Sequence, residues 1–436
     1  MSSTAKLAMF GGERAVPRDR APVEWPIVDE SDRAAMLRTL DSGALVSNAE
    51  GESEVVGLER EFAEHTGVDH CSGVANGTVA ITLALSALGV GAGDEVLVPA
   101  LTFIGTPLGV VHAMADPVFV DVDPVTFNMD PAAAAAAITP RTRAIVVVHL
   151  HGVPAEMKEL RELADRHGLA LVEDAAQAHG ATYEGKAAGS LADMGCFSLN
   201  ATKNLPTCGE GGLVTTDDPE LAQGVAMRRQ FGEIIDESRG RSYTAQALGM
   251  NAKLNPVQAA FTRSQLQRLG DYDRRREENV RRLLGRLEEL AGITVPCCPP
   301  NRTHAFHILR FRFDPLAAGL EGTAPGAFRQ ALHRVLRAEG VPLSRYQLVP
   351  LPEQDVFPSP EDPSAYATAT AVIEDSLTLQ KRHLNPEAGP ILDLYADGFE
   401  KVWENLDAVA RIAGSAASRS KGKDRKPTLV PEATAG

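Results

Sequence analysis

Lysine is scarce in this chain. Between residues 20 and 400 it occurs only at Lys158, Lys186, Lys203, Lys253 and Lys381, and arginine carries most of the positive charge. Basic charge is also short overall: 43 Lys and Arg stand against 58 Asp and Glu, a formal net charge of −15. That balance excludes the basic footprint a nucleic-acid partner requires. No apolar run is long enough to cross a bilayer, and residues 1–20 lack the apolar core of a secretory signal. Five cysteines (Cys71, Cys196, Cys208, Cys297 and Cys298) make an odd set without zinc-type spacing. The expectation is therefore no metal site and a reducing, cytoplasmic setting. Cys196, inside an apolar run, reads as a small buried hydrophobe. These absences leave a protein that works on small molecules, and 436 residues are enough for two lobes.

Two stretches then organise the rest. Leu169 to Val172 is a short apolar run that ends in Glu173 and Asp174, and Gly195 to Leu199 is a second such run whose trailing loop carries Lys203. Both read as buried strands. In an open α/β sheet, groups just past the carboxyl ends of strands converge on a ligand crevice. An acid and an amine delivered there suit pyridoxal phosphate, which takes a lysine amine and a carboxylate at its pyridine nitrogen. Taken singly, by spacing alone, Asp174 reads first as a helix cap and Lys203 as a solvated loop charge. Lys158 falls on a polar helix face and Lys186 beside Gly185 in a turn, so Lys203 is the best-placed amine.

Along the chain, residues 1–30 are proline-punctuated, include Trp25-Pro26, and read as an extended segment. Ser31 can cap a helix from Asp32 to about Asp41, with Ala35, Leu37 and Leu40 as its apolar contacts. The polar loop from Gly43 to Glu54 is a candidate substrate entrance. Gly57 to His65 is a short amphipathic helix. Cys71 to Thr78, leading into Val79–Leu85, is a strand, a glycine turn and a helix start. Its free N–H groups at Gly77 and Thr78 suit a phosphate, although standing alone the stretch reads first as an ordinary turn with a threonine cap. Phe103 follows the strand Asp94–Val98 and could stack on a planar ring or pack in the core. Strand–helix alternation over roughly 70 to 220 means a mainly parallel, doubly wound sheet. That large domain spans 31–265, and a smaller α+β domain spans 266–412.

The smaller domain is entered by a long helix from Asn255-Pro256, whose Arg274–Arg282 stretch reads as a solvated or subunit-facing surface. Phe306, Ile308, Leu309, Phe311 and Phe313 read as an edge-type strand. Residues 233–242 read as a mobile surface loop and 413–436 as a disordered tail.

The combination of motifs resembles the DegT/StrS family of sugar aminotransferases. It comprises the run from Glu173 to Ala181, the Gly195–Ser198, Thr202–Leu205 and Gly209–Gly212 runs, and Asn76-Gly77-Thr78. Pro99–Ile104, Pro117–Asp123, Val148–Gly152 and Gly249–Asn251 fall in the same order. The resemblance spans about 20 to 410 and implies the fold of type I pyridoxal-phosphate transferases, usually homodimeric, with glutamate or glutamine as amino donor. It implies that Lys203 carries the cofactor and moves the proton, and that Asp174 pairs with the pyridine nitrogen. Gln177 would sit by the ring's phenolic oxygen, Phe103 on the ring, and Gly77, Thr78 and Ser198 on the phosphate. Asn251 would reach the phosphate of the partner subunit. Leu199-Asn200-Ala201, Lys253 and Asn255-Pro256-Val257-Gln258 depart from the family's common residues at positions bordering the acceptor. Those departures lean toward carbocyclic acceptors, as in aminocyclitol enzymes and 3-amino-5-hydroxybenzoate synthases. The implied function is transfer of an amino group to a keto-sugar or keto-cyclitol in antibiotic-type secondary metabolism. The alternatives are a dehydratase–aminase and a non-catalytic cofactor-binding regulator.

Overall fold

The computed structural model describes residues 6–20, 24–47, 52–234 and 243–420; parts of the entrance loop and of the 233–242 loop lie outside them. The first helix, α1 (Glu30–Ser42), is capped by Asp29 rather than Ser31. The Asp29 carboxylate accepts from the Ser31 and Asp32 amides while Asp32 accepts from the Asp29 amide, a reciprocal capping box. Leu37 and Leu40, expected to point inward, are 56% and 49% exposed. The helix docks instead through Asp32, which pairs with Arg268 at 2.7 Å, and through Thr39 and the expected contact Ala35, so its contact face is mixed.

The large sheet is assembled from α2 (Glu54–Thr66), β1 (His70–Val74), α3 (Gly77–Ala87), β2 (Glu95–Pro99), α4 (Gly105–His112), β3 (Asp116–Val120), α5 (Pro131–Ala137), β4 (Thr142–Val148), α6 (Met157–His167) and β5 (Ala170–Asp174). A small hairpin of β6 (Thr182–Tyr183) and β7 (Lys186–Ala187) follows, then β8 (Met194–Ser198), β9 (Gly212–Thr216) and α7 (Pro219–Arg228). The strand order is β1-β9-β8-β5-β4-β2-β3. Pairing is parallel except that β9 runs antiparallel between β1 and β8. Alternate residues of the strands feed opposite faces, as a two-residue period requires. Val96, Val98, Val146, Val172 and Cys196 pack with α3, whereas Leu97, Ile145, Val147 and Leu171 pack with α6. Both faces of the central strands are covered, which is why the middles of β2, β4 and β5 are apolar runs.

Helix α8 (Pro256–Leu287) is continuous; it packs on α1 and α2 and, further along, on the smaller lobe. Within its Arg-rich middle, Arg276 is 3% exposed rather than solvated. Its Nε donates to the Leu384 carbonyl and its Nη1 pairs with Asp273. The smaller lobe comprises β10 (Ile293–Thr294), β11 (Leu309–Phe313), α9 (Pro325–Glu339), α10 (Ala367–Asp375), β12 (Ser376–Leu379), α11 (Gly389–Trp403) and α12 (Leu406–Ser420). Strand β11 lies in the middle of its antiparallel sheet, between β10 and β12, and not at an edge. Phe311 and Phe313 are buried beneath α9 and α11, and Phe306 precedes the strand at φ +48°. Leu7 and Val16 from the N-terminal segment join this core. Helix α12 carries regular structure to Ser420, past the start of the expected disordered tail.

Candidate active site

The carboxyl ends of the parallel strands place the predicted residues side by side. Asp174 is the last residue of β5 and Ser198 the last of β8, its neighbour. Asp174 is buried, and Thr106 Oγ1 donates to its Oδ2 at 2.7 Å while the Ala176 amide donates to Oδ1 at 3.1 Å. No cation pairs with it among the described residues. A carboxylate has about four acceptor positions, so two remain for a ligand.

Glu173 does a different job. Its side chain faces the interior, where it takes the Gly189 and Leu191 amides at 2.7 and 2.6 Å and His149 Nε2 at 2.8 Å. His149 Nδ1 accepts from the Ala155 amide, so Nε2 carries the hydrogen and the histidine is neutral. Glu173 is fully satisfied and braces the loop after β7.

Lys203 follows β8 in a tight loop: its amide donates to Asn200 O at 2.8 Å and its carbonyl accepts from Trp25 Nε1 at 3.0 Å. Burial, reinforced by the charge of Lys381, lowers its ammonium pKa to about 8, against the opposing pull of Asp174 and Glu210. His179 and His307 are buried and held well below the usual histidine range, chiefly by desolvation and then by the nearby Lys203. Both are neutral at pH 7, so neither adds a charge beside the amine.

At the other side of the crevice, α3 begins where β1 ends. The Asn76 side chain caps the Val79 amide at 2.9 Å, leaving the Gly77 and Thr78 N–H groups directed out of the helix. A Cβ on Gly77 would sit 2.8 Å from Ser198 Cβ, so glycine is required for these two walls to meet. A Cβ on Gly105 would sit 3.0 Å from Thr78 Oγ1 and 3.1 Å from the Phe103 ring, which joins those two to the same concavity. Phe103 is 58% exposed, unlike a core aromatic. Backbone donors at a positive helix end, flanked by two hydroxyls, make a phosphate cradle.

Gln177 is buried, with Oε1 accepting from the His151 amide at 2.8 Å and Nε2 donating to Tyr346 Oη at 3.5 Å. Asn251 stands apart: it is exposed, bridged to Gln230, and its Oδ1 accepts from Lys253. The structure thus gathers Gly77, Thr78, Phe103, Asp174, Gln177, Ser198 and Lys203, whereas Asn251 hydrogen-bonds none of them among the described residues. Sequence reasoning missed Thr106, Tyr346 and Lys381. Thr106 had a faint signal, a hydroxyl one turn after Thr102 at a strand end. Tyr346 lies 169 residues from Gln177 and had none.

Residues 26–388 match the DegT/DnrJ/EryC1/StrS aminotransferase family. The chain belongs to that family. It is 37% identical over 374 residues to the dTDP-3-amino-3,4,6-trideoxy-alpha-D-glucose transaminase of Streptomyces venezuelae, covering 85% of this chain and 92% of the relative. It is 42% identical over 293 residues to the L-glutamine:2-deoxy-scyllo-inosose aminotransferase of Streptomyces fradiae, covering 65% and 68%. The crystal structure of 3-amino-5-hydroxybenzoic acid synthase superposes with a TM-score of 0.77 at 33% identity, covering 88% of this chain and 100% of that one. This DegT/StrS protein is therefore a pyridoxal-phosphate-dependent aminotransferase of fold type I. The donor set fits the cofactor: a lysine amine, a carboxylate with free acceptor positions, and the Gly77 cradle.

Proposed function

We propose that this aminotransferase moves an amino group from glutamate or glutamine to a keto-sugar or keto-cyclitol in antibiotic-type secondary metabolism. The observation that carries the reading is the juxtaposition of Lys203, whose ammonium is shifted to about 8, with the buried and unpaired carboxylate of Asp174. The relatives support the acceptor class, since one acts on a deoxyhexose nucleotide and another on a cyclitol.

Pyridoxal phosphate, when bound, supplies a carbonyl for the amine and a ring that accepts an electron pair. Lys203 is assigned as the residue that carries it and, once displaced by the incoming amine, as the base that moves the proton. Asp174, oriented by Thr106, would hold a proton on the pyridine nitrogen. Gln177 would donate to the phenolic oxygen, Phe103 would cover one ring face, and Gly77, Thr78 and Ser198 would hold the phosphate. Asp174 acts on charge that develops during reaction, so its loss should cost more than loss of a phosphate contact.

A homodimer fits the surface. Leu37, Leu40, Leu45, Val46, Tyr243 and Leu248 are all more than 40% exposed, an apolar display typical of subunit interfaces. Asn251 lies on the same exposed segment as Leu248, where it could enter a neighbour's site. All five cysteines are free, which fits the expected reducing, cytoplasmic setting. No helix among the described residues is long and apolar enough to cross a membrane. The test is product analysis of the purified, cofactor-loaded protein against a panel of keto-sugars and keto-cyclitols, with glutamate and glutamine offered separately. An aminated product with either donor is expected. A cofactor spectrum that responds to no amine donor would point instead to the regulator reading.

A further inference from the structure

The N-terminal segment builds a second concavity, away from the cofactor residues. A cleft of ≈ 450 Å³ lies between this segment, the residues just after α9, and the start of α11. Arg14, Arg18 and Arg20 line it together with His383 and Tyr395, and no carboxylate does. That is unexpected in a chain with a net charge of −15. None of the three arginines takes part in an ion pair among the described residues. Elsewhere the arginines of this chain are heavily paired: Arg263, Arg268, Arg274 and Arg286 each engage two carboxylates.

The local packing keeps the cleft positive. Arg14 Nε is buried and meets no acceptor. Gly340, at φ +101°, gives Arg14 its room, because a Cβ there would lie 2.7 Å from Arg14 Nη2. The adjacent carboxylate, Glu339, cannot neutralise it. Its oxygens already take the Ala8 and Ala15 amides at 2.6 and 3.1 Å and Lys401 Nζ at 2.8 Å. The far wall offers one more donor. His383 Nε2 accepts from Arg382 Nε at 3.2 Å, so its Nδ1 carries the hydrogen and donates to Tyr395 Oη at 3.3 Å. The hydroxyl hydrogen of Tyr395, a residue 2% exposed, is then left without an acceptor among the described residues.

We propose that this cleft is a binding site for a phosphate-bearing small molecule, a diphosphate by its charge. Guanidinium forks match phosphate oxygens in pairs, and three of them with a neutral phenol donor exceed what a single carboxylate needs. The cleft volume is within the range of small-molecule sites. The phosphate has two sources: a handle on the amino acceptor, or a free phosphate compound bound apart from it. Arg20 and Trp25, which touches Lys203, are five positions apart in the chain, so they lie within roughly 17 Å of each other.

The probe is inorganic pyrophosphate, titrated calorimetrically into the cofactor-saturated protein at constant ionic strength. Arg18→Gln/Arg20→Gln is the test variant, because both side chains are exposed and their loss leaves the core alone; Arg60→Gln is the control. Pyrophosphate is expected to bind the wild type and the control alike, and at least tenfold more weakly to the double variant, with a shallower salt dependence. Absence of binding, or equal binding by all three proteins, overturns the site. Arg14→Gln, which also removes the buried cation, should weaken binding by itself. The source is then decided by turnover: a handle raises KM for phosphate-bearing acceptors only, whereas a separate phosphate leaves every acceptor KM unchanged. The binding measurement needs no turnover, so its failure is distinct from failure of the aminotransferase reading.

Discussion

The indole N–H of Trp25 donates to the carbonyl oxygen of Lys203 at 3.0 Å, across 178 residues of chain. The ring is fixed on its other sides by Tyr272, edge-on at 5.9 Å, and by the guanidinium of Arg276 at 5.7 Å. The N-terminal segment thus clamps the backbone of the proposed catalytic lysine. Trp25→Phe keeps most of the packing and removes the donor, a loss of about 1 kcal/mol. The expected outcome in steady-state kinetics is a several-fold drop in kcat with little change in donor KM, and only a small loss in Tm. An unchanged kcat would mean that Trp25 serves packing alone.

Thr106 holds Asp174 in place, and the two should separate cleanly in mutants. Thr106→Val removes one hydrogen bond to a buried carboxylate and is expected to lower kcat about tenfold, by the ~1.5 kcal/mol such a bond contributes. Asp174→Asn keeps the shape but not the charge, and is expected to cost at least 10²-fold in kcat with cofactor still bound. The absorbance spectrum of the purified variants reports cofactor occupancy; similar losses for the two variants would remove Asp174 from its assigned role.

The lowered pKa of Lys203 sets a pH dependence with a defined sign. The unfolded chain holds its lysine proton up to about pH 10.4, whereas the folded chain releases it from about 8 upward. Between those values the unfolded state binds more protons, so stability rises with pH in that window, and the penalty is fully present below it. Cofactor-free Lys203→Met should therefore exceed the wild type in Tm at pH 7, and the gap should close by about pH 10.5. A gap independent of pH would show that Lys203 is not held in a desolvated setting. The rate at which apoprotein captures pyridoxal phosphate should likewise level off just above pH 8, since the neutral amine is the nucleophile.

What could be read from the chain beforehand follows from where the information lies. Asp174, Lys203 and Gly77 were legible because each stands at the end of a short apolar strand, and the doubly wound sheet places such ends along one edge. The alternation of Val96 and Val98 against Leu97 likewise carried the two-faced burial of the sheet. Contacts between distant segments had no local mark: Trp25 with Lys203, Tyr346 with Gln177, and Arg310 with His151 join residues 159 or more positions apart. Leu37 and Leu40 misled because helical periodicity reports an apolar face but not what covers it. The central position of β11 depended on β12, which begins 63 positions after β11 ends and shows no pairing signal of its own.

Gly77 is the sharpest steric test of the cradle. A methyl group there would lie 2.8 Å from Ser198 Cβ and 3.2 Å from Ser198 Cα, below normal contact distance. Gly77→Ala is expected to weaken pyridoxal phosphate binding at least tenfold, measured by spectral titration of the apoprotein. Far-ultraviolet circular dichroism should be unchanged, because alanine is favoured over glycine in the first turn of a helix. Wild-type affinity in this variant would place the phosphate elsewhere.

The position of Asn251 yields a test of whether each site is built by two chains. It is exposed and hydrogen-bonds none of the proposed cofactor residues of its own subunit among the described residues, while its loop neighbour Leu248 is 89% exposed and available to a second copy. Lys203→Ala should be inactive because it lacks the amine, and Asn251→Asp weakly active because a carboxylate would repel the phosphate. If Asn251 serves the partner's site, mixed dimers of the two variants hold one site with both native residues and one with neither. Subunit exchange between the purified variants should then restore up to about a quarter of wild-type activity, since half of the chains' pairings are mixed and each contributes one of two sites. Activity that stays at or below the average of the two parents would place Asn251 outside the site of the neighbouring subunit.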